Sequence, residues 1–143
     1  MVKLLEKFEF KEGLYYSKDH MWVKLENGKV RVGVTDVAQR SAGPITFIRL
    51  LPKGKLVVKG KPLGTIETGK WVGPLISPVS GTLVEVNENL KSQPKLLNED
   101  PYGAGWIAVI QPSNFEEDKK ALISDLKELE EFIKSELQRL KLT

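Results

Sequence analysis

From Leu14 to about Pro112 the chain reads as short β-branched and aromatic segments broken by Gly, Pro, Asn and Asp, in places strictly alternating, and after that apolar residues recur with a helical period. "MWVKLENGKVRVGVT" shows the first pattern most clearly. Val30, Val32 and Val34 alternate with Lys29, Arg31 and Gly33, while Trp22 and Lys24 flank Val23. Asn27-Gly28 separates the two runs, and an Asn-Gly pair between alternating segments is the strongest short-range hairpin signal. Further strands are expected at residues 46–50, 56–58, 63–67, 75–76, 81–86 and 106–111. These segments are apolar or β-branched and are separated by Gly, Pro, Asn and Asp. Many short strands at close spacing predict a mainly β sandwich or small barrel.

Three stretches break the series. Residues 34–43 predict a short helix, with Thr35 or Asp36 as its cap and Gly43 as its end. Residues 92–103 predict a helical turn followed by a structured loop. Over residues 113–143, apolar side chains recur at Leu122, Leu126, Leu129, Ile133, Leu137 and Leu140, in steps of three and four. That spacing predicts a long amphipathic helix whose stripe packs on the β domain. Ser113 and Glu116 have the spacing of a capping box at its start. The chain thus divides into a charged lead-in (1–13), a β domain (14–112) and a C-terminal helix (113–143). A weak echo joins Gly64-Thr65-Ile66 to Gly81-Thr82-Leu83 and suggests two similar β halves.

The absence of cysteine excludes disulfides, thiolate metal sites and cysteine nucleophiles. One histidine, His20, supports neither a zinc site nor a Ser-His-Asp triad, so no catalytic or metal-binding residue is assigned. The net charge is +3; residues 114–143 carry six basic and eight acidic groups, leaving +5 on residues 1–113. The densest basic run, Lys53, Lys55, Lys59 and Lys61, has no aromatic interleaving, so nucleic acid is not expected as a partner. No apolar run is long enough to span a bilayer, and the N-terminus does not read as a secretory signal. No membrane association and a cytoplasmic location are expected.

One lysine stands apart. In "GTIETGKWVGP", Lys70 falls between two apolar strand segments, in a connection over residues 68–73 that contains Gly69 and Gly73. The glycines suit a tight turn that uses positive φ angles. A lysine at such a tip is exposed, which favours access by another enzyme. By itself this pattern also describes an ordinary solvated turn lysine.

The flanking motifs go further. "YSKDHMWVKLENGKVRVGVTDVAQ", "PVSGTLVEVNENL" and "PKLLNEDPYGAGWIAVIQPSN" occur in order over residues 14–114. Together they resemble the glycine cleavage system H protein family, which has the biotinyl/lipoyl carrier fold. The resemblance implies a flattened β-sandwich with short helices and a long C-terminal helix, and a carrier rather than an enzyme. "ETGKW" matches the family's attachment motif, so the cofactor implied is lipoate, joined covalently to Lys70. Glu67, three residues before Lys70, and Gly81, eleven after, match the family's recognition features for the lipoylating enzyme. Biotin carriers have Met-Lys-Met instead, and no methionine flanks Lys70. The partners implied are a lipoate ligase or lipoyl transferase, then glycine decarboxylase, aminomethyltransferase and dihydrolipoyl dehydrogenase. Between these enzymes the family's arm carries the aminomethyl group of glycine.

His20, in "HMW", and Trp71 are candidates for resting the arm or meeting a partner. For His20 an ordinary hydrogen bond at a strand end is an equal reading. Asn98, Pro101, Tyr102 and Gly103 read as loop structure. The chain departs from the family where Thr68-Gly69 and the bulky Trp71 flank Lys70. It departs again where Pro44 and Arg49 replace acidic residues, and in its basic charge. Two alternatives therefore stay open at this point. One is an H-like lipoate carrier in another pathway, such as heterodisulfide-reductase-like sulfur oxidation; the other is an H-like interaction module without lipoate.

Overall fold

The structure, a computed structural model, describes residues 2–5 and 7–140. Its strands are β1 (Val2–Leu4), β2 (Phe8–Phe10), β3 (Tyr15–Tyr16), β4 (Met21–Glu26), β5 (Lys29–Val34), β6 (Ile45–Leu50), β7 (Leu56–Val57), β8 (Pro62–Thr68), β9 (Val72–Ile76), β10 (Gly81–Val86) and β11 (Ala108–Pro112). The helices are α1 (Asp36–Ala42), α2 (Asn89–Ser92), α3 (Leu96–Glu99), α4 (Phe115–Asp118) and α5 (Leu126–Leu140). A six-stranded sheet in the order β3-β4-β5-β11-β10-β7 and a three-stranded sheet β6-β8-β9 form the two layers. All their pairings are antiparallel. Val23, Val30 and Val32 of one sheet and Ile48, Leu63 and Ile66 of the other are buried in one common core. This is the expected mainly β sandwich with short helices and a long C-terminal helix.

Local chemistry explains the elements that were anticipated. Asn27 and Gly28 both have positive φ, 51° and 79°, as a tight hairpin turn requires. The Thr35 hydroxyl accepts from Ala38 N–H at the start of α1, and Gly43, at φ 78°, donates its N–H to Gln39 O at the end. The Gly64/Gly81 echo has a packing cause. The two glycines lie in different sheets, and a Cβ at Gly64 would meet Arg49 O, as one at Gly81 would meet Gln111 O.

A second core lies on the far side of the six-stranded sheet. Alternation along β4 sends Met21 and Val23 into the sandwich and Trp22 the other way. There Trp22 packs with Phe8, Phe10, Tyr16, Leu129 and Ile133. Residues 1–13, read above as a charged lead-in, thus contain the β1–β2 hairpin, with Phe8 and Phe10 fully buried.

Residues 113–143, read as one helix, are divided. Asn114 rather than Ser113 caps α4, and Ser113 Oγ instead donates to Ser80 O. The chain then extends so that Ile123 exchanges backbone hydrogen bonds with Tyr16, at 2.8 and 2.7 Å. It resumes as α5 with Asp125 accepting from Glu128 N–H. The stripe residues Leu129, Ile133 and Leu137 are buried; the Leu140 side chain and residues 141–143 lie outside the described part. Among the described residues no helix is long and apolar enough to cross a membrane.

Candidate functional site

Lys70 sits at the tip of the β8–β9 hairpin, which is longer than the sequence pattern suggested. The strands pair as far as Glu67↔Val72, and Thr68 N–H donates to Trp71 O at 2.9 Å. Only Gly69 and Lys70 remain as the loop. Neither Gly69 nor Gly73 uses a positive φ, so the turn is not made as their presence implied. The Thr68 hydroxyl makes it instead, accepting from Lys70 N–H at 3.2 Å and Trp71 N–H at 3.3 Å. Gly73 has a different reason to be glycine: a Cβ there would overlap the Trp71 ring, which lies across it.

Lys70 is exposed, and its ammonium has no hydrogen bond or ion pair among the described residues. The base of the hairpin is anchored by Leu63, Ile66 and Leu75 in the sandwich core. The lysine is therefore a free amine on a stiff support. Beside it lies a cleft of about 140 Å³ between the hairpin and α1, walled by Ile66, Trp71, Leu75, Ala38, Ala42 and His20. The structure thus brings Lys70, Trp71 and His20 to one end of the molecule.

His20 is held from the opposite side. Its backbone is left-handed, at φ 64°, with its N–H donating to Ser17 O and its carbonyl accepting from Thr35 N–H. Its Nε2 lies 2.6 Å from Glu136 Oε1, and its ring stacks on Phe132 at 5.6 Å. Arg139 donates two 2.8 Å hydrogen bonds to the same carboxylate. These hold the Glu136 carboxyl below the usual glutamate range, His20 adding to the effect while burial opposes it. Glu136 and Phe132 were not anticipated, because nothing in a helical stripe identifies an acid 116 positions away as the partner of a strand-end histidine. The Thr68 acceptor was foreseeable as a turn threonine that bonds its own backbone.

Glu67 is half-buried on β8, one pair behind the tip. Gly81 is not at the tip. It opens β10 beyond the far end of β9, paired with Val57 and Pro112 under the Gln111 carbonyl. The loop residues Asn98, Pro101 and Tyr102 are architectural. Asn98 accepts from Ile45 N–H and donates to Gly43 O, Pro101 O accepts from Trp22 Nε1–H, and Tyr102 OH donates to Glu9 O. Gly103 leaves room for the Asp100 carboxylate.

Residues 14–136 match the family model described as glycine cleavage H-protein. The chain belongs to the glycine cleavage H-protein family. Among the relatives of this H protein is a probable glycine cleavage system H protein of Pyrococcus abyssi. It is 49% identical over 129 residues, 90% of this chain and 95% of the relative. Glycine cleavage system H protein 2 of Aquifex aeolicus is 47% identical over 86% of this chain and 80% of its own. In structure, the H protein of Mycobacterium marinum superposes with a TM-score of 0.70 at 37% identity, covering 73% of this chain and 87% of that one. The resemblance read from the motifs is borne out. The relatives carry the glycine-cleavage name, which supports the main reading and not the two alternatives.

Proposed function

We propose that this H protein carries a lipoyl group in amide linkage on Lys70 Nζ and through it moves the aminomethyl group of glycine between the enzymes of a glycine cleavage system. One observation carries the reading: Lys70 is an exposed, unpaired amine at the two-residue tip of a core-anchored hairpin, in a chain of this family. When attached, the dithiolane supplies the disulfide–dithiol redox couple and the sulfur that bears the carried group, which a chain without cysteine lacks. Everything else falls to positioning. Thr68 fixes the backbone of Lys70, and the buried hairpin base keeps the anchor from wandering. The mostly apolar cleft walled by Trp71 and His20 fits an aliphatic arm at rest, with His20 held there by Glu136. We assign no catalytic group to the chain, which acts as a carrier. A flexible arm on a rigid body gives each docked active site a high effective concentration of the group carried.

We assign Glu67 to recognition by the lipoate ligase or lipoyl transferase; Gly81 acts at a distance by keeping β10 close against β11. Glycine decarboxylase, aminomethyltransferase and dihydrolipoyl dehydrogenase are the partners of the loaded arm, in the cytoplasm. The test is glycine-dependent loading. Lipoylated protein incubated with glycine and a competent glycine decarboxylase should gain the mass of an aminomethyl group. No gain would contradict the glycine pathway and favour a carrier for another one.

A further inference from the structure

The outer face of the three-stranded sheet is uncovered immediately behind Lys70. Register places Phe47, Glu67 and Val72 in one cross-strand row and Arg49, Thr65 and Pro74 in the next. Directly paired residues project to the same side. A bulge between Ile45 and Phe47 turns Phe47 outward while Ile45 and Ile48 stay buried. Phe47 is 43% and Val72 62% exposed, whereas Ile48, Ile66 and Leu75 on the inner face are buried.

The Arg49 guanidinium lies over the Phe47 ring at 5.6 Å and has no ion pair among the described residues. Glu67, between Phe47 and Val72, likewise has none. The face therefore presents two apolar side chains and one unpaired anion in the row nearest the tip, with one unpaired cation, Arg49, in the row behind it.

We infer that this face is the docking surface for the enzyme that acylates Lys70, a partner offering a carboxylate to Arg49 and apolar side chains to Phe47 and Val72. The inference rests on the reading of Lys70 as the attachment site. An acylating enzyme must enclose Nζ itself, so its footprint covers the tip and the sheet rows behind it. A partner visited by the finished arm meets the arm's end instead. An arginine stacked on an aromatic ring keeps its guanidinium edge free for a bidentate carboxylate, and Arg49 has no such partner among the described residues of the chain itself. The reaction served is acyl transfer. The Lys70 amine, its proton lost to solvent, attacks the acyl carbon of lipoyl adenylate; the amide forms and AMP leaves.

The experiment measures initial rates of lipoylation by a recombinant lipoate–protein ligase supplied with lipoate and ATP, read by intact mass. The substrates are the parent chain, Arg49→Glu, the pair Phe47→Ser with Val72→Ser, and Leu25→Ser, a control at an exposed apolar residue of the other sheet. Loss of a central contact predicts about a tenfold rise in KM, with kcat kept, for Arg49→Glu and for the Ser pair. Leu25→Ser should match the parent, and the parent rate should fall with added salt. Acetylation of Lys70 by a small reagent should be equal in all four, showing an intact tip. Parent-like KM in both face variants overturns the inference and leaves the attachment reading standing. No label on Lys70 of the parent overturns that reading and the inference with it.

Discussion

At the scale of single residues, the turn that presents Lys70 depends on one hydroxyl. Thr68 Oγ1 accepts from two successive backbone N–H groups that the hairpin ladder leaves unpaired. Thr68→Val should speed hydrogen exchange at the Lys70 and Trp71 amides, and Thr68→Ser should restore protection. Because the tip is exposed, the cost to global stability should stay near about 1 kcal/mol. Unchanged exchange in Thr68→Val would show that strand pairing alone shapes the tip. Glu136 makes a second prediction, in pH. Its folded pKa is depressed, chiefly by Arg139, so the stabilisation is complete above about pH 4.3, where an unfolded glutamate ionises, and is lost as pH falls through the lower folded value. Denaturant midpoints of the parent and Glu136→Gln should differ at neutral pH and converge in acid.

At the scale of elements, legibility follows the range of the forces involved. The β4–β5 turn and the ends of α1 were readable because their causes lie within a few residues: paired positive φ at Asn27-Gly28, a hydroxyl cap at Thr35, a left-handed Gly43. Lys70 was readable as a tip from the apolar segments on either side, although the Thr68 hydroxyl and not the glycines makes the turn. The β1–β2 hairpin was not. Its segments VKL and FEF are three residues each and bury Leu4, Phe8 and Phe10 in a core shared with Trp22, Val37, Tyr102 and α5, the last more than a hundred residues later. The division between α4 and α5 was hidden too, because the apolar period runs unbroken through Leu122 and Leu126 while an isolated backbone bridge from Ile123 to Tyr16 interrupts the helix between them. The His20–Glu136 contact is another product of that docking. Ile133→Ala, deep in this second core at 1% exposure, should cost roughly 2–5 kcal/mol in urea unfolding. Below its melting temperature the variant should still be modified at Lys70, since the hairpin rests on the other core.

For the molecule as a whole, two cores flank the six-stranded sheet, and the second buries tyrosine hydroxyls. Burial pushes the ionisation of Tyr16 and Tyr102 well above the ordinary tyrosine value. A folded pKa above the unfolded one gives stability that is complete below about pH 10 and is lost as pH rises beyond it. Denaturant midpoints measured from neutral to strongly alkaline pH should fall above that point, and less steeply in Tyr16→Phe; equal slopes would place the alkaline loss elsewhere.

Intact mass decides whether the proposed lipoyl group is carried on Lys70. The parent chain and Lys70→Arg are each treated with lipoate, ATP and a lipoate–protein ligase. The parent should gain one lipoyl group and Lys70→Arg none. No gain in the parent, or a gain that survives the substitution, would contradict the proposed attachment.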